Sequence, residues 1–458
     1  MNQVPQEIFK AYDIRGIVGK SLTPEVVELV GRALGTLCRE RGGDAIAIGR
    51  DGRVSGPSLV KALAEGIRST GVDVHDVGMV PTPVVYYAAH QLGTGSAVAV
   101  TGSHNPPDYN GLKMVIAGTT LSGDEIQALR ERIERGEFAK GEGRYIEEDV
   151  REAYFERITS DVKLARPMSI IVDCGNGVAG SMAPELYRRM GCTVHELYCD
   201  VDGTFPNHHP DPSKPENLQD VIALLRKSDA EIGLAFDGDG DRLGVVTKDG
   251  EIIYADRQLM LFARDVLKRV PGGKIIYDVK CTGNLAPWIR EHGGEAVMWR
   301  TGHSFIKAKL KETGAPLAGE MSGHTFFKER WFGFDDGLYA GARLMEILSR
   351  EKDPSALLKA LPDSVTTPEL NIKLREGEPH RLIKQLQAGA DFPDATDIIT
   401  LDGLRVEYKD GFGLARASNT TPVIVLRFEA KDQAGLKRIQ DDFRRMLLAV
   451  KPDAELPF

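Results

Sequence analysis

The sequence lacks the features that mark membrane-bound, disulfide-stabilised or nucleic-acid-binding proteins. Its 458 residues include only five cysteines, which are scattered without a CxxC pair, so neither a disulfide framework nor a zinc site is indicated. No apolar run reaches the roughly 18 to 20 residues that cross a bilayer, and the N-terminal residues show no signal-peptide pattern. The formal net charge is −9, and no Lys/Arg run stands out. We therefore expect a cytoplasmic protein that binds neither membrane nor nucleic acid.

The remaining composition fits a folded protein of several domains. Hydrophobic residues make up 42% of the chain and charged residues 27%, which excludes a disordered or fibrous protein. At roughly 150 residues per domain, the length predicts about three domains. Glycine is over-represented, with 49 residues, about 11% of the chain against a usual value near 7%. It clusters in short loops, where we expect the chemistry to lie.

Three segments repeat one local pattern. Apolar runs at 45–49, 169–172 and 274–277 are each followed by an aspartate, a glycine-containing loop, a helical stretch, a glycine and a second apolar run. This order is typical of a βαβ unit, and the repeats lie too far apart for a solenoid. The pattern predicts three similar mixed α/β domains, although βαβ units are common enough for the repetition to be coincidental.

The last hundred residues follow a different pattern. Alternating runs NIKL, LRVEY and VIVLRF precede a helix expected from Lys431 to about Val450, which is typical of an α+β domain. Turn-rich sequence predicts domains at 1–147, 148–249, 250–362 and 363–458. The predicted fold class is therefore α/β, with three similar domains and a fourth of α+β type.

The first candidate loop is TGSHNPPDYNGLK at 101–113, directly after the apolar run SAVAV. A serine just beyond a buried strand lies at the carboxyl edge of a sheet, where α/β proteins bind ligands. Ser103 could therefore be a nucleophile, with His104 or Lys113 as its base. Its surroundings do not match the GxSxG elbow of α/β hydrolases. The alternative is a polar turn that only redirects the chain.

The second loop, DGDGDR at 237–242, is the most specific local signal. Asp237, Asp239 and Asp241 alternate with glycine, so their carboxylates can converge on one hard cation, for which Mg²⁺ is suited. An EF-hand is excluded, because Arg242 stands where that loop requires glycine. Arg242 could instead bind a phosphate oxygen. The alternative, an acidic turn without a ligand, would leave three close carboxylates repelling one another.

Two further loops carry polar groups suited to a sugar phosphate. GEMSGH at 319–324 alternates Glu320, Ser322 and His324, whose acceptor, hydroxyl and imidazole suit sugar hydroxyls. RASNTTP at 416–422 combines an arginine with hydroxyls and backbone N–H groups, which suits a phosphate. Each could instead be an ordinary loop or an ST turn. Weaker single candidates are Tyr12, Arg15, Lys280 and His303.

The order of these motifs resembles the α-D-phosphohexomutase superfamily, and within it the bacterial phosphomannomutase/phosphoglucomutase branch. The resemblance runs without a departure through KAYDIRG, TGSHNP, VDCGNG, DGDGDR, GEMSGH and RASNTTP, and covers essentially the whole chain. It implies four domains around a central cleft, the first three sharing a fold. It also implies an isomerase that interconverts hexose 1-phosphates and 6-phosphates of mannose and glucose. The reaction would use a phosphoserine enzyme and a hexose 1,6-bisphosphate, which serves as intermediate and activator.

The resemblance also implies residue roles. Ser103 would be the phosphorylated serine, and it would share one Mg²⁺ with Asp237, Asp239 and Asp241. Arg242 would steady the phosphoserine. Sugar hydroxyls would bind Glu320 and Ser322. The phosphate that is not transferred would bind Arg416, Ser418, Asn419 and Thr420. The remaining candidates would line the cleft and contact substrate: Tyr12, Arg15, His104, Lys113, Lys280, His303 and His324. Lys113 and His324 are the candidates for proton transfer.

Three other functions are weighed against this one. A phosphoglucosamine mutase would keep the fold, but that branch usually has glutamine where Met321 stands. A haloacid-dehalogenase-type phosphatase using Asp237 would need threonine or valine at position 241. A non-catalytic protein that binds sugar phosphate or calcium would need no reactive Ser103. The expected partners are hexose phosphates, and we expect a monomer, with a dimer as the alternative.

Overall fold

Four β-sheets follow one another along the chain, each formed by a separate stretch of sequence. The computed structural model describes residues 3–419 and 421–458. The first three sheets mix parallel and antiparallel strands and carry helices, whereas the fourth is antiparallel. The predicted fold class, three mixed α/β domains and a fourth α+β domain, is confirmed.

The first domain has seven strands in the order β1-β5-β4-β2-β3-β7, with β6 paired to β5. Its strands are β1 (Ile14–Ile17), β2 (Ala45–Arg50), β3 (Asp73–Met79), β4 (Ala97–Val100), β5 (Tyr109–Ile116), β6 (Thr119–Thr120) and β7 (Tyr145–Glu147). Its helices are α1 (Pro24–Glu40), α2 (Gly56–Arg68), α3 (Thr82–Gln91) and α4 (Asp124–Arg135). Strands β2 and β4 are buried almost throughout, as expected for parallel strands covered on both faces.

The second domain has a five-stranded sheet in the order β12-β11-β10-β8-β9. Its strands are β8 (Ser169–Asp173), β9 (Thr193–Leu197), β10 (Ile232–Phe236), β11 (Leu243–Thr247) and β12 (Ile252–Ile253). Its helices are α5 (Arg151–Asp161), α6 (Ala183–Arg189) and α7 (Gln219–Lys227). Short 3-10 turns lie at Val178–Ser181 and Pro215–Leu218, and a further one, at Gln6–Ile8, precedes β1 in the first domain.

The third domain has a four-stranded sheet in the order β14-β13-β15-β16. Its strands are β13 (Lys274–Asp278), β14 (Glu295–Trp299), β15 (Leu317–Gly319) and β16 (Thr325–Phe327). Its helices are α8 (Ala255–Leu267), α9 (Leu285–Glu291), α10 (His303–Thr313), α11 (Gly337–Leu348) and α12 (Pro354–Lys359). The Asp336 carboxylate caps α11 by accepting from Tyr339 N–H, which satisfies one of the free donors of its first turn.

The fourth domain has six strands, β17-β22-β21-β20-β19 with β18 also on β22. They are β17 (Val365–Thr366), β18 (Leu370–Lys373), β19 (Asp397–Ile399), β20 (Leu404–Tyr408), β21 (Gly411–Ala417) and β22 (Val423–Ala430). Its helices are α13 (Glu378–Ala388) and α14 (Gln433–Val450). The terminal helix begins two residues after the predicted Lys431, because Asp432 is its N-cap and accepts from Gly435 N–H.

The apolar cores show how the domains are joined. The largest core combines α3 with buried residues of the second and third domains, so these domains share packing. The fourth domain has a core of its own and meets the third through a small cluster of Val279, Phe412 and Leu414. Arg405 adds hydrogen bonds from Nη1 to the carbonyls of Val279 (2.6 Å) and Cys281 (2.7 Å). Within the described part of the chain, no helix is long and apolar enough to cross a membrane.

Candidate active site

Ser103 lies on a tight turn directly after β4, in a left-handed conformation with φ of 51°. Left-handed backbone is unfavourable for a residue other than glycine, so the turn needs support from its surroundings. A network of buried polar groups supplies that support. The backbone N–H of Ser103 donates to Thr101 Oγ1 (2.8 Å), and Thr101 donates in turn to Asp51 Oδ2 (2.8 Å). The Arg53 guanidinium donates to the Ser103 carbonyl (2.9 Å) and pairs with Asp51 (3.2 Å). The turn is therefore fixed before any ligand binds.

The three aspartates of DGDGDR lie together beneath this turn, in the loop between β10 and β11. Asp237, Asp239 and Asp241 are fully buried, and one oxygen of each lies within 4.8 Å of the others. The loop can pass close to the nucleophile because position 238 is glycine: a Cβ there would lie 2.3 Å from the Ser103 carbonyl. The Ser103 hydroxyl lies 3.4 Å from Asp237 Oδ2. The sequence thus brings the candidate nucleophile and the acidic cluster into contact across two domains.

The acidic cluster has the chemistry of a cation site. Among the described residues, Asp239 Oδ1 and Asp241 Oδ1 are buried without a hydrogen-bond partner. Burial and the neighbouring carboxylates of Asp241 and Asp239 raise the pKa of Asp237 well above its ordinary value. Several buried carboxylates placed this close together are costly unless cations offset their charge, and carboxylate oxygens are the ligands that hard divalent cations prefer. These residues could therefore hold a metal ion.

Lys113, on β5, reaches into the same cluster from the first domain. Its Nζ lies 2.8 Å from Asp239 Oδ2 and 2.5 Å from Asp241 Oδ2. Burial alone would lower the pKa of Lys113, but the charges of Asp239 and Asp241 outweigh it and raise the pKa. Burial would raise the pKa of Asp239, yet the Lys113 ammonium lowers it. In this arrangement Lys113 stays protonated, which suits it to neutralise charge rather than to act as a base or to donate a proton.

His104 and Arg242 lie on the open side of Ser103. The His104 Nδ1 is 3.2 Å from the Ser103 hydroxyl. Burial, together with the cations Arg242, Arg15 and Lys113, lowers the pKa of His104 well below its ordinary value, so its imidazole is neutral. The Arg242 backbone N–H donates to Asp237 Oδ1 (3.2 Å), and its Nε lies 3.0 Å from His324 Nε2.

The GEMSGH loop connects β15 to β16 at the carboxyl edge of the third sheet. Glu320 is buried and accepts from Gly302 N–H at 2.5 Å, and burial raises its pKa. The Ser322 hydroxyl has no hydrogen-bond partner among the described residues. Neighbouring His303 begins α10, and both of its ring nitrogens are buried without a partner in the same part of the chain. These groups are available to sugar hydroxyls.

The candidate phosphate loop follows β21 in the fourth domain. Arg416 is on the strand itself, where its Nε donates to Asp402 Oδ2 (3.2 Å) and its Nη2 is buried with no partner among the described residues. Ser418 accepts from Thr421 N–H (3.3 Å). Thr420, which the sequence analysis includes in this loop, lies outside the described residues. A buried arginine whose terminal nitrogen has no partner in the described part of the chain is suited to bind an anion.

One cavity of about 760 Å³ collects these groups from all four domains. Its lining includes the predicted residues Tyr12, Arg15, Ser103, His104, Lys113, Arg242, Lys280, His303, Glu320, Ser322, His324, Arg416, Ser418 and Asn419. The three aspartates do not line it but lie directly below Ser103 and Lys113. The cavity has the volume of a small-ligand site, so the predicted central cleft is present.

Several residues at this site were missed by sequence reasoning. Asp211, Ser213 and Lys214 also line the cavity, on a long loop that offers no strand edge or motif to identify it. Glu369 lies 3.1 Å from Lys280 Nζ, and the ammonium lowers the Glu369 pKa to about 2. Asp335 is 3.0 Å from His324 Nδ1. The only feature of the sequence that marks Asp335 is the pair of aspartates in FGFDDG. From the sequence alone, such a pair reads equally well as the N-cap of a helix.

Comparison with known proteins identifies the family. The domains of phosphoglucomutase/phosphomannomutase match in order: alpha/beta/alpha domain I at 6–140, domain II at 152–250, domain III at 254–365 and the C-terminal domain at 369–446. The chain belongs to the phosphoglucomutase/phosphomannomutase family. The predicted membership in the α-D-phosphohexomutase superfamily, whose members are isomerases, is thereby confirmed.

Individual relatives cover nearly all of the chain. A phosphoglucomutase of Neisseria meningitidis is 60% identical over 450 residues, 98% of each protein. A phosphomannomutase/phosphoglucomutase of Pseudomonas aeruginosa is 57% identical over 456 residues, 99% of this chain and 98% of the relative. The crystal structure of a phosphoglucomutase/phosphomannomutase family protein from Burkholderia thailandensis covers both chains completely, with a TM-score of 0.95 and 62% identity.

Proposed function

We propose that this protein interconverts hexose 1-phosphates and hexose 6-phosphates of mannose and glucose by passing a phosphoryl group through Ser103. One observation carries the proposal. The Ser103 hydroxyl lies 3.4 Å from Asp237 Oδ2 of a buried three-carboxylate cluster, in the wall of a cavity that Arg416 of the fourth domain also lines. A nucleophile beside a cation site, in a cavity that also holds an anion-binding arginine from another domain, suits a substrate that carries phosphate at either end.

The reaction proceeds by two phosphoryl transfers. In the first, the bond between phosphorus and Ser103 Oγ breaks and a bond to O6 of a hexose 1-phosphate forms. The O6 proton passes to Ser103 Oγ by way of the cavity-lining imidazoles of His324 and His104. The resulting 1,6-bisphosphate turns end for end, and its 1-phosphate is transferred to Ser103 to regenerate the phosphoenzyme. Such transfers depend mainly on positioning and on neutralising charge at the phosphoryl oxygens. Arg242 and the Lys113 ammonium supply positive charge on the Ser103 side.

The acidic cluster is suited to one magnesium ion. Asp237, Asp239 and Asp241 would hold it, because two of their buried oxygens have no hydrogen-bond partner in the described part of the chain. When bound, Mg²⁺ supplies positive charge beside the phosphoryl oxygens. The same carboxylates hold Lys113 in place, so three carboxylates, one ammonium and one bound Mg²⁺ would balance in charge.

Substrate recognition is divided between the third and fourth domains. Glu320 and Ser322 would bind sugar hydroxyls, since one is a buried acceptor and the other a hydroxyl without a partner among the described residues. Arg416 and Ser418, with Asn419 and Thr420, would hold the phosphate that is not transferred. Because these groups do not distinguish the two ends of the bisphosphate, either phosphate could bind there, as reorientation requires.

Phosphorus NMR of the purified enzyme with Mg²⁺ and a trace of glucose 1,6-bisphosphate tests this function. We expect glucose 1-phosphate and mannose 1-phosphate each to be converted to the 6-phosphate, and glucosamine 1-phosphate to be converted more slowly. The matched control is Ser103→Ala, which should bind substrate but show almost no conversion. Fastest turnover of glucosamine 1-phosphate would favour a phosphoglucosamine mutase, and undiminished activity in the Ser103→Ala variant would reject the mechanism.

A further inference from the structure

Asp278 is the last residue of β13, and its carboxylate joins three loops that line the cavity. It is fully buried. Its Oδ1 accepts from Met321 N–H (2.9 Å), and its Oδ2 accepts from the Thr301 hydroxyl (2.7 Å). The Cys281 thiol also donates to Oδ1 (3.1 Å). One carboxylate therefore connects the loops that follow β13, β14 and β15.

Two of these contacts lie next to a group proposed to bind sugar hydroxyls. Met321 directly follows Glu320 in the GEMSGH loop, so its hydrogen bond fixes the backbone at this point. Thr301 directly precedes Gly302, whose N–H donates to Glu320 Oε1 (2.5 Å). The Glu320 side chain and the Glu320 backbone are thus each one residue away from a contact with the same aspartate.

The first domain has the same arrangement at the candidate nucleophile. Asp51 directly follows β2, as Asp278 ends β13, and in each sheet the neighbouring parallel strand, β4 or β15, carries the functional loop. Asp51 Oδ2 accepts from the Thr101 hydroxyl (2.8 Å) and from Gly102 N–H (3.1 Å), at the turn that carries Ser103. In both domains an aspartate at the carboxyl end of one strand accepts a backbone N–H of the neighbouring loop, with a threonine hydroxyl as a second donor.

We propose that Asp278 is a positioning residue for sugar recognition, which holds the GEMSGH loop so that Glu320 and Ser322 meet the hydroxyls of the hexose. The proposal rests on the proposed function. Asp278 does not itself line the cavity, so it acts on substrate only through this loop. An ionised carboxylate suits this place because it only accepts hydrogen bonds and has lone pairs enough for all three donors.

The discrimination between glucose 1-phosphate and its 2-, 3- and 4-deoxy analogues tests this role. A site that hydrogen-bonds a hydroxyl penalises the analogue that lacks it, because a buried polar group is left unpaired. We expect the wild-type kcat/KM to be about 10- to 100-fold lower for at least one analogue. In Asp278→Ala the loop loses its anchor, and this penalty should shrink to less than about threefold. A merely structural role would lower kcat/KM for every substrate by the same factor and leave the penalty unchanged.

Asp278→Asn is the conservative variant. Its amide oxygen can accept from Met321 N–H, and its NH₂ group can donate to the Thr301 hydroxyl, since a hydroxyl accepts as well as donates. We expect this variant to keep the penalty within about twofold of wild type. If Asp278→Ala does not fold, Thr301→Val takes its place: it removes one donor to Asp278 while keeping the shape of the side chain, and should reduce the penalty at least threefold.

The matched control is Asp173→Ala, in the second domain. Asp173 ends β8 and is as buried as Asp278, but it accepts from Gly175 N–H (2.9 Å) and contacts His208 Nε2 (2.9 Å) instead of the GEMSGH loop. Whatever its effect on kcat, this variant should keep the wild-type penalty.

Hydrogen exchange of peptides covering residues 317–327 gives a second reading that needs no substrate. We expect exchange about tenfold faster in Asp278→Ala and unchanged in Asp278→Asn and Asp173→Ala. Exchange as slow in Asp278→Ala as in wild type, a wild-type penalty in that variant, or an equal loss of the penalty in Asp173→Ala would each overturn the proposal. So would a wild-type mutase that penalises none of the analogues. A wild-type enzyme without mutase activity would reject the proposed function instead, while the exchange experiment would still test whether Asp278 holds the loop.

Discussion

Replacement of Arg53 by methionine should loosen the turn that carries Ser103. Arg53 is 1% exposed and its guanidinium donates to four backbone carbonyls of this loop, as well as to Asp51. The acceptors are the carbonyls of Ser103 (2.9 Å), Asn105 (2.7 Å), Pro106 (2.5 Å) and Tyr109 (3.0 Å). Methionine fills similar space but leaves these carbonyls and the Asp51 carboxylate without their donor.

The size of the effect follows from the buried charge. Removing one partner of a buried ion pair costs about 3–5 kcal/mol, because the other charge is left uncompensated. The five hydrogen bonds are not counted separately, since each replaces a bond to water and their net contributions are not additive. A loss of about 3 kcal/mol in the free energy of local opening corresponds to amide exchange about 100-fold faster. We also expect kcat to fall, because Ser103 is no longer held in its left-handed conformation.

Hydrogen-exchange mass spectrometry of peptides covering residues 97–116 measures this opening directly. Intrinsic fluorescence would not serve, because the three tryptophans, Trp288, Trp299 and Trp331, all lie in the third domain. The matched control is Arg50→Met, which removes a neighbouring arginine. Among the residues that the structure describes, its side chain makes one hydrogen bond, from Nη1 to the Asp51 carbonyl (3.2 Å). If exchange in the Arg53→Met variant is as slow as in Arg50→Met, the turn is held by something else and the reasoning is wrong.

Three further predictions concern the metal site, the phosphate loop and pH. Asp239→Asn should cost most of the activity, with only partial recovery on adding Mg²⁺; a rate unaffected by chelator would contradict the cation site. Arg416→Ala should lower kcat/KM by about 30- to 150-fold. This factor corresponds to the loss of about 2–3 kcal/mol from charged hydrogen bonds between Arg416 and the substrate phosphate. If kcat and KM are both unchanged, Arg416 does not bind substrate. Burial raises the pKa of Asp336 to about 7, so the folded protein retains a proton that the unfolded chain releases above about pH 4. The stabilisation from this group is therefore complete below about pH 4 and is lost as pH rises towards 7, by up to about 1.4 kcal/mol per pH unit. In urea unfolding, the free energy of unfolding of Asp336→Asn should lack this dependence on pH. The same dependence in wild type and variant would refute the assignment.

Site residues that are close in sequence could be predicted, whereas those created by distant contacts could not. The DGDGDR loop is recognisable because its three carboxylates are adjacent and must meet wherever the chain folds. The contact between Lys113 and Asp239 joins positions 126 residues apart, and nothing local reports it. Arg53 was missed for the same reason, since it acts only through the loop that the fold places against it.

The fold shows the same division. The βαβ units follow from apolar runs and glycine stops, and the structure confirms the α/β class. Strand β21 was not predicted, because Gly411 and Gly413 interrupt its apolar alternation. Both glycines are required by packing: a Cβ at Gly413 would lie 2.3 Å from Phe443 Cε2, and one at Gly411 would lie 2.0 Å from the Glu429 carbonyl. These glycines leave room for α14 and β22, which pack against β21. Because they carry no side chain, the strand is difficult to recognise from its hydrophobic periodicity alone.

The phosphorylation state of Ser103 tests the central claim most directly. Purified enzyme is incubated with glucose 1,6-bisphosphate and Mg²⁺, its intact mass is measured, and peptides containing residue 103 are mapped. We predict one added phosphoryl group, located on Ser103, which is lost when excess glucose 1-phosphate is supplied and is absent from Ser103→Ala. An enzyme that turns over hexose phosphates while never carrying phosphate on Ser103, or that carries it on another residue, would contradict the account.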